Sequence, residues 1–194
     1  MTWVPPPETL GLIFDCDGTL ADTMPVHYRA WTEVLGKHGI TFTEERFYSL
    51  GGMPTEKIIP ILSAESGIPV IDVPAMTVEK ENMFLTHLHT IRPIRKVFQI
   101  AHHHRGKMPM AVASGGYRRI VEKTLLHIDT HGWFDTIVCA EDTPRHKPEP
   151  DVFIEAARRL GVRVDRCVVF EDTDIGLEAA KRAGAIGIDV RPWY

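Results

Sequence analysis

The sequence is poor in cysteine and contains no long apolar run. Its three cysteines, Cys16, Cys139 and Cys167, lie in or beside strand-like segments, which predicts small core residues in a reducing cytoplasm. No apolar stretch approaches the roughly 20 residues of a membrane span. The first residues lack the basic and apolar regions of a secretory signal. These absences disfavour secreted and membrane proteins, so we expect a cytoplasmic location.

An excess of positive charge is also missing. Lys and Arg number 22, Asp and Glu number 26, and the formal net charge is −4. Because nucleic acids and anionic membranes favour basic surfaces, this balance disfavours both as partners. It permits a small anionic substrate, since a local positive site can exist inside an acidic protein. No segment indicates an interface, and we expect a monomer.

The second half of the chain alternates short apolar runs with helical patterns. Helices are predicted near 116–127, 150–160 and 174–184, with strands between them and a last strand near 186–190. This alternation is typical of βαβ units. The nearly continuous apolar character of the strands predicts burial on both faces. The fold class is therefore α/β, a Rossmann-like parallel sheet with helices on both faces.

Between about residues 24 and 90 the pattern changes to helices alone. Four helices are predicted there, and they cover Pro25–His38, Glu44–Leu50, Thr55–Ser66 and Pro74–Leu88. At 194 residues the chain is long enough for one core with a modest inserted domain. We therefore predict a catalytic core of residues 1–22 and 92–194 and a small all-helical cap of residues 23–91.

Four of the predicted strands each lead into residues suited to phosphoryl transfer. These residues are Asp15-Cys16-Asp17-Gly18-Thr19, Ser114-Gly115-Gly116, Lys147 and Glu171-Asp172, in chain order. Ligands of open α/β sheets bind outside the carboxyl ends of the strands, so these groups are expected to meet there. Carboxylates, a hydroxyl, an amine and free backbone N–H groups are what a phosphate ester and a magnesium ion need.

The first motif contains two carboxylates two residues apart. Asp15 directly follows an apolar strand, where a carboxylate can attack phosphorus and form an aspartyl phosphate. Asp17 could protonate the leaving oxygen and later deprotonate water. Asp and Gly also favour simple turns, but the three partner motifs favour the catalytic interpretation.

The second and third motifs offer groups for an anion. Ser114 and Gly115 precede a predicted helix, whose first N–H groups can bind a phosphate. Serine is also a common helix cap, so this motif is weak alone. Lys147 stands before Pro148 and Pro150 in a stiff loop and could neutralise a phosphoryl oxygen, although a lone lysine is usually a solvated surface charge.

The fourth motif pairs two acids after a buried strand. Such neighbours repel one another unless a cation or hydrogen bonds hold them, and Mg²⁺ prefers a few carboxylates with water and phosphate. Asp172, Asp15 and the main-chain carbonyl of Asp17 would form such a site. Whether Glu171 touches the metal or only supports it stays open. Asp174 is predicted to cap the next helix.

The order of these motifs resembles the four-motif signature of the haloacid dehalogenase-like superfamily over essentially the whole chain. The helical insertion after the first motif is similar to the cap of the β-phosphoglucomutase-like branch, which carries the Glu-Asp form of the last motif. The sequence most resembles bacterial phosphatases of fructose 1-phosphate or 6-phosphogluconate. The segments that carry this resemblance are Gly11-Leu12-Ile13-Phe14-Asp15, Gly52-Met53-Pro54-Thr55 and Cys167-Val168-Val169-Phe170-Glu171-Asp172.

The resemblance implies a role for each matching residue. Asp15 would be the nucleophile and Asp17 the general acid and base. Mg²⁺ would be held by Asp15, Asp17 and Asp172, with Glu171 as a further candidate. The phosphoryl group would be cradled by Ser114, Gly115 and Lys147. Thr23 and His27 match hinge and cap positions that help to place Asp17 and contact the substrate, although His27 could equally be a surface histidine.

One departure from the mutase pattern favours a hydrolase. The mutase holds a sugar bisphosphate by both ends, with a cap lysine and arginine on the distal phosphate. The matching segment here, Gly51-Gly52-Met53-Pro54-Thr55, has no cation before Lys57. We therefore predict a Mg²⁺-dependent phosphatase of small sugar phosphates. The alternative is a β-phosphoglucomutase-type isomerase, and a more remote one is a non-catalytic sugar-phosphate sensor.

Overall fold

A central parallel sheet organises the molecule. In the computed structural model, which describes residues 3–69 and 72–194, five parallel strands follow the order β3-β2-β1-β4-β5. They are β1 (Gly11–Phe14), β2 (Met110–Ala113), β3 (Thr136–Val138), β4 (Cys167–Glu171) and β5 (Ile186–Asp189). Leu12 of β1 pairs with Met110 on one side and with Val168 on the other. Every residue of β1, β2 and β4 is buried, as a sheet covered on both faces requires.

Eight α-helices lie within the same described ranges. They are α1 (Met24–Lys37), α2 (Glu44–Ser49), α3 (Thr55–Ser66), α4 (Val73–Thr86), α5 (Arg95–His104), α6 (Arg118–His127), α7 (Asp151–Leu160) and α8 (Asp174–Ala183). None of these described helices has the length and apolar character needed to cross a bilayer. Bounds for each of these helices except α5 were predicted from the sequence, and they lie within two residues of the observed ends.

Alternate residues of the central strand contact opposite helical layers. Leu12 and Phe14 belong to an apolar cluster that includes α5 and α6, whereas Ile13 belongs to a cluster with α7 and α8. Because successive side chains of a strand point to opposite faces, both faces must be apolar. The α/β fold with helices on both faces is therefore confirmed.

The four helices α1–α4, here called the helical insertion, come between β1 and β2 and have their own apolar cluster. Its fully buried members include Val34, Leu35 and Ile59, and Trp31 is almost as deeply buried. The two connections to the sheet run side by side, since the Asp22 N–H donates to the Arg92 carbonyl at 2.9 Å. The two segments that connect the insertion to the sheet therefore lie next to each other.

The start of α8 differs from the sequence prediction. Thr173, not Asp174, caps this helix, because its Oγ1 accepts the Gly176 N–H at 3.1 Å. Asp174 is the first residue inside the helix, where a negative charge still suits the helix dipole. The prediction of Asp174 as the cap was wrong by one residue.

Candidate active site

Three of the four sequence motifs line one pocket, and Lys147 of the remaining motif joins them through its contact with Asp15. Asp15 follows β1, Ser114 follows β2, and Asp172 follows β4, so the parallel strands bring them to the same edge of the sheet. The helical insertion closes the opposite side of this pocket. Its contributions include His27, Trp31, Leu50, Thr55, Lys80 and Glu81.

Lys147 is the centre of the charged groups on the sheet side. Its Nζ donates to Asp15 Oδ1 at 2.7 Å and to Glu171 Oε1 at 2.5 Å, and all three residues are buried. Burial alone would lower the pKa of Lys147, but the charges of Asp15 and Glu171 outweigh it and raise that pKa. Lys147 is therefore a buried cation and not the solvated surface charge that lysine usually is.

Negative charge exceeds positive charge around Lys147. Asp15, Glu171 and Asp172 each offer an oxygen, and these atoms lie within 4.8 Å of one another. Burial, assisted by the neighbouring carboxylates, raises the pKa of Asp15 and that of Asp172, because three carboxyl groups face a single ammonium and their joint ionisation is unfavourable. A divalent cation would balance this excess, and clustered carboxylate oxygens are the ligands that Mg²⁺ prefers. The residues present thus fit the predicted metal.

Glu171 uses both of its oxygens within the protein. Oε1 accepts from Lys147, and Oε2 accepts from the backbone N–H and the hydroxyl of Thr173 at 2.7 and 2.9 Å. Gly176 of α8 leaves room for the Glu171 side chain, because a Cβ at this position would lie 1.9 Å from Oε1. Glu171 therefore fixes Lys147 and the loop before α8, in addition to lying in the carboxylate cluster.

The carboxylate of Asp17 is turned towards the helical insertion and is not part of that cluster. Its Oδ1 accepts from Thr23 Oγ1 at 2.8 Å and contacts His27 Nε2 at 3.1 Å. Lys80 Nζ lies 2.9 Å from His27 Nδ1, and because an ammonium can only donate, Nε2 carries the proton shared with Asp17. The His27 ring also stacks on Phe84 with centroids 4.0 Å apart. Thr23 and His27 thus orient Asp17.

These contacts also set the ionisation of Asp17. Burial acts to raise the pKa of this carboxyl, but His27, with help from Thr23, outweighs burial and lowers the pKa below its usual range. The two aspartates of one motif therefore have opposite shifts, since the pKa of Asp15 is raised. Groups whose environments separate their pKa values are suited to different chemical roles.

The loop after β2 lies close to the helical insertion. Ser114 is buried and its Oγ accepts the Gly116 N–H at 3.0 Å. A Cβ on Gly115 would lie 2.6 Å from the carbonyl oxygen of Gly52, so only glycine permits this approach. Ser114 and Gly115 are therefore in the pocket, as predicted, beside the insertion.

Sequence reasoning missed the charged residues of the insertion that line the pocket. The nearest cation that it considered, Lys57, is exposed on α3. Lys80 and Glu81 of α4 are buried instead, and Thr55 Oγ1 donates to Glu81 Oε1 at 2.5 Å. Their spacing carried a signal, because Lys80 lies four residues from both Met76 and Phe84, which are buried on the same helix.

Comparisons with known proteins agree with this geometry. The haloacid dehalogenase-like hydrolase family matches residues 12–190. The fructose-1-phosphate phosphatase of Escherichia coli (strain K12) is 40% identical over 182 residues, which cover 93% of this chain and 96% of that protein. A phosphorylated carbohydrates phosphatase of Thermotoga maritima is 30% identical over 178 residues, covering 89% of this chain and 81% of that protein.

The fold is also that of a solved structure. The β-phosphoglucomutase of Clostridium difficile superposes with a TM-score of 0.84 at 22% identity, and the match covers 93% of this chain and 84% of that one. At this identity the similarity concerns the fold alone. The match along nearly the whole sequence decides the family, and the resemblance stated from the motifs is confirmed. The chain belongs to the haloacid dehalogenase-like hydrolases.

Proposed function

We propose that this protein is a Mg²⁺-dependent phosphatase that hydrolyses small sugar phosphates through an aspartyl phosphate. The observation that carries the proposal is the pair of aspartates in one pocket. Asp15 contacts Lys147, whereas Asp17 is held by Thr23 and His27. The sugar-phosphate phosphatases among the relatives support the substrate class.

In the first step, an oxygen of Asp15 attacks phosphorus and the bond to the sugar oxygen breaks. Lys147, whose ammonium contacts Asp15, offsets charge on the phosphoryl oxygens, and the loop of Ser114 and Gly115 offers a hydroxyl and N–H donors. Asp17 gives its proton to the departing sugar oxygen. The arriving phosphate dianion favours the protonated form of this carboxyl, because like charges disfavour ionisation.

In the second step, water hydrolyses the aspartyl phosphate. Asp17 is then a carboxylate, the form that His27 and Thr23 favour, and it accepts the proton of the attacking water. Phosphate leaves and Asp15 is regenerated. The contrast between the two aspartates thus supports different roles within one motif. Asp15 acts as the nucleophile, and Asp17 acts as the general acid and then as the general base.

The metal would be held by Asp15, Asp172 and the main-chain carbonyl of Asp17, with Glu171 bound to Lys147 beside them. When bound, Mg²⁺ supplies positive charge that offsets the charge of the transferring phosphoryl group. The buried excess of carboxylates supports this assignment.

Residues 23–91 would act as a cap over a core of residues 1–22 and 92–194. The cap excludes water and selects the leaving group. Hydrolysis is favoured over mutase chemistry because Lys80, the cap lysine of the pocket, is already paired with Glu81 at 3.2 Å. Three buried free cysteines support a reducing, cytoplasmic location. We expect a monomer that binds neither nucleic acid nor membrane.

The test is phosphate release from fructose 1-phosphate, 6-phosphogluconate and β-glucose 1-phosphate, with and without Mg²⁺. Asp15→Asn should reduce release by more than about 1,000-fold, because it removes the nucleophile. Asp129→Asn is the control, since this exposed residue has a φ of 56° that asparagine tolerates. Conversion of β-glucose 1-phosphate to glucose 6-phosphate without phosphate release, once a glucose bisphosphate is added, would establish the mutase instead.

A further inference from the structure

The end of the pocket formed by the helical insertion contains a buried ion pair. Lys80 Nζ lies 3.2 Å from Glu81 Oε1, and both side chains are at most one-tenth exposed. Apolar side chains, Trp31 and Ile58 among them, line the same end of the pocket. A buried charge in such surroundings must be paired, and this pair is formally neutral.

Glu81 has one oxygen committed and one available. Thr55 Oγ1 and Lys80 Nζ both donate to Oε1, at 2.5 and 3.2 Å. Within residues 3–69 and 72–194, Oε2 receives no hydrogen bond. Burial acts to raise the pKa of Glu81, but the charge of Lys80, together with the hydrogen bond from Thr55, lowers it overall, so the group is a carboxylate.

We propose that Glu81 determines specificity by making this end of the pocket select a neutral polyhydroxyl leaving group. Glu81 neutralises Lys80, so no uncompensated cation remains there for a carboxylate or a second phosphate. Its free Oε2 accepts hydrogen bonds from hydroxyl groups of the sugar or sugar alcohol. The inference rests on the proposed phosphatase function and narrows its substrates to neutral monophosphates.

The physical basis is that placing a hydroxyl group beside Glu81 costs less free energy than placing a second anion there. A hydroxyl group can donate to a buried carboxylate oxygen, whereas a second anion would face Glu81 with Lys80 already occupied. A ligand whose charge is repelled or left unpaired in the pocket is excluded more strongly than a ligand that only lacks one favourable contact. Glu81 therefore acts on the choice between leaving groups more than on the reaction at Asp15.

The experiment compares sorbitol 6-phosphate with 6-phosphogluconate, which differ only in a CH₂OH group against a carboxylate. The ratio of their kcat/KM values is measured, because a loss of folded enzyme cancels in it. We expect the wild type to prefer sorbitol 6-phosphate, and Glu81→Gln to reduce this preference by about 10-fold or more. Glu79→Gln, the same change at a half-buried position of α4 outside the pocket, should leave the ratio unchanged.

Two further variants keep the test decisive. Glu81→Asp retains the charge and should retain the preference. Lys80→Met combined with Glu81→Gln should abolish the gain for 6-phosphogluconate, because the freed ammonium causes it. An unchanged ratio in Glu81→Gln, with both substrates still hydrolysed, would overturn the inference and leave the phosphatase intact. Absence of phosphate release by the wild type, even from p-nitrophenyl phosphate, would instead reject the proposed function.

Discussion

Two buried lysines lie on opposite sides of the candidate site, and their surroundings differ: Lys80 lines the pocket, and Lys147 contacts Asp15 on the sheet side. Lys147, in the loop after β3, is 4% exposed, and Lys80, on α4, is 3% exposed. Lys147 contacts two carboxylates, and a third belongs to the same cluster, so negative charge is in excess. Lys80 has one carboxylate partner and a histidine nitrogen. The unbalanced side suits a metal and a phosphoryl group, and the balanced side suits a neutral sugar.

The largest effect is expected from removing the lysine of the unbalanced side. Lys147→Met leaves Asp15 and Glu171 buried without a cation, which should lower the free energy of unfolding by about 3–5 kcal/mol. Phosphate release should fall on the order of 1,000-fold, because a charge that faces the transition state is lost. Urea denaturation and steady-state kinetics measure the two effects.

Two other lysine-to-methionine variants serve as controls for Lys147→Met. Lys80→Met leaves only one carboxylate, that of Glu81, without its cation, so its loss of stability should be smaller than that of Lys147→Met. Lys37→Met removes an exposed ion pair with Glu79 and should cost about 1 kcal/mol or less. Equal losses for Lys80→Met and Lys147→Met would contradict the difference between the two sides.

The second effect concerns the metal. Mg²⁺ should raise the melting temperature of the wild type, because it binds the folded carboxylate cluster. The free energy of unfolding should rise by about 2.7 kcal/mol when free Mg²⁺ is at 100 times its dissociation constant. Asp172→Asn should remove this gain, whereas Glu81→Gln, on the balanced side, should keep it. Differential scanning calorimetry with EDTA and then Mg²⁺ measures it. An equal Mg²⁺ shift in Asp172→Asn would exclude the cluster as the binding site.

The same contrast explains what the sequence could predict. Asp15, Ser114 and Asp172 follow apolar strands, and parallel strands bring their carboxyl ends together whatever the details of packing. Lys147 was expected at the same edge because its loop follows β3, and it contacts Asp15 there. Topology therefore brings these residues to one site, and the order of motifs after strands was enough to predict that they lie together.

Contacts that depend on tertiary packing were not predictable. The spacing of Lys80 from Met76 and Phe84 indicated the buried face of α4, but Lys and Glu are almost never fully buried, so the residue types of Lys80 and Glu81 argued against burial. Their burial follows from the packing of α4 against α1 and α3. Likewise, the neighbours of Glu171 in sequence do not reveal Lys147, which is 24 residues away. Only the folded structure shows that Glu171 holds this lysine.

The smallest effect is expected at the seam between the two sides. The Tyr117 hydroxyl, in the loop after β2, donates to Glu56 Oε2 on α3 at 2.8 Å. Because Glu56 is exposed, Tyr117→Phe should lower the free energy of unfolding by about 1 kcal/mol or less. KM should rise by about two- to threefold, since the closed pocket is slightly less favoured, while kcat stays nearly constant.

Tyr48→Phe, a change at a half-exposed tyrosine of the helical insertion, is the control for loss of a hydroxyl. A double-mutant cycle with Glu56→Gln should give a coupling free energy of about 0.5 kcal/mol. A fall in kcat of more than about tenfold in Tyr117→Phe would mean that this hydroxyl takes part in the reaction. The division of the pocket into a reacting sheet side and a selecting insertion side would then have to include Tyr117 among the reacting groups.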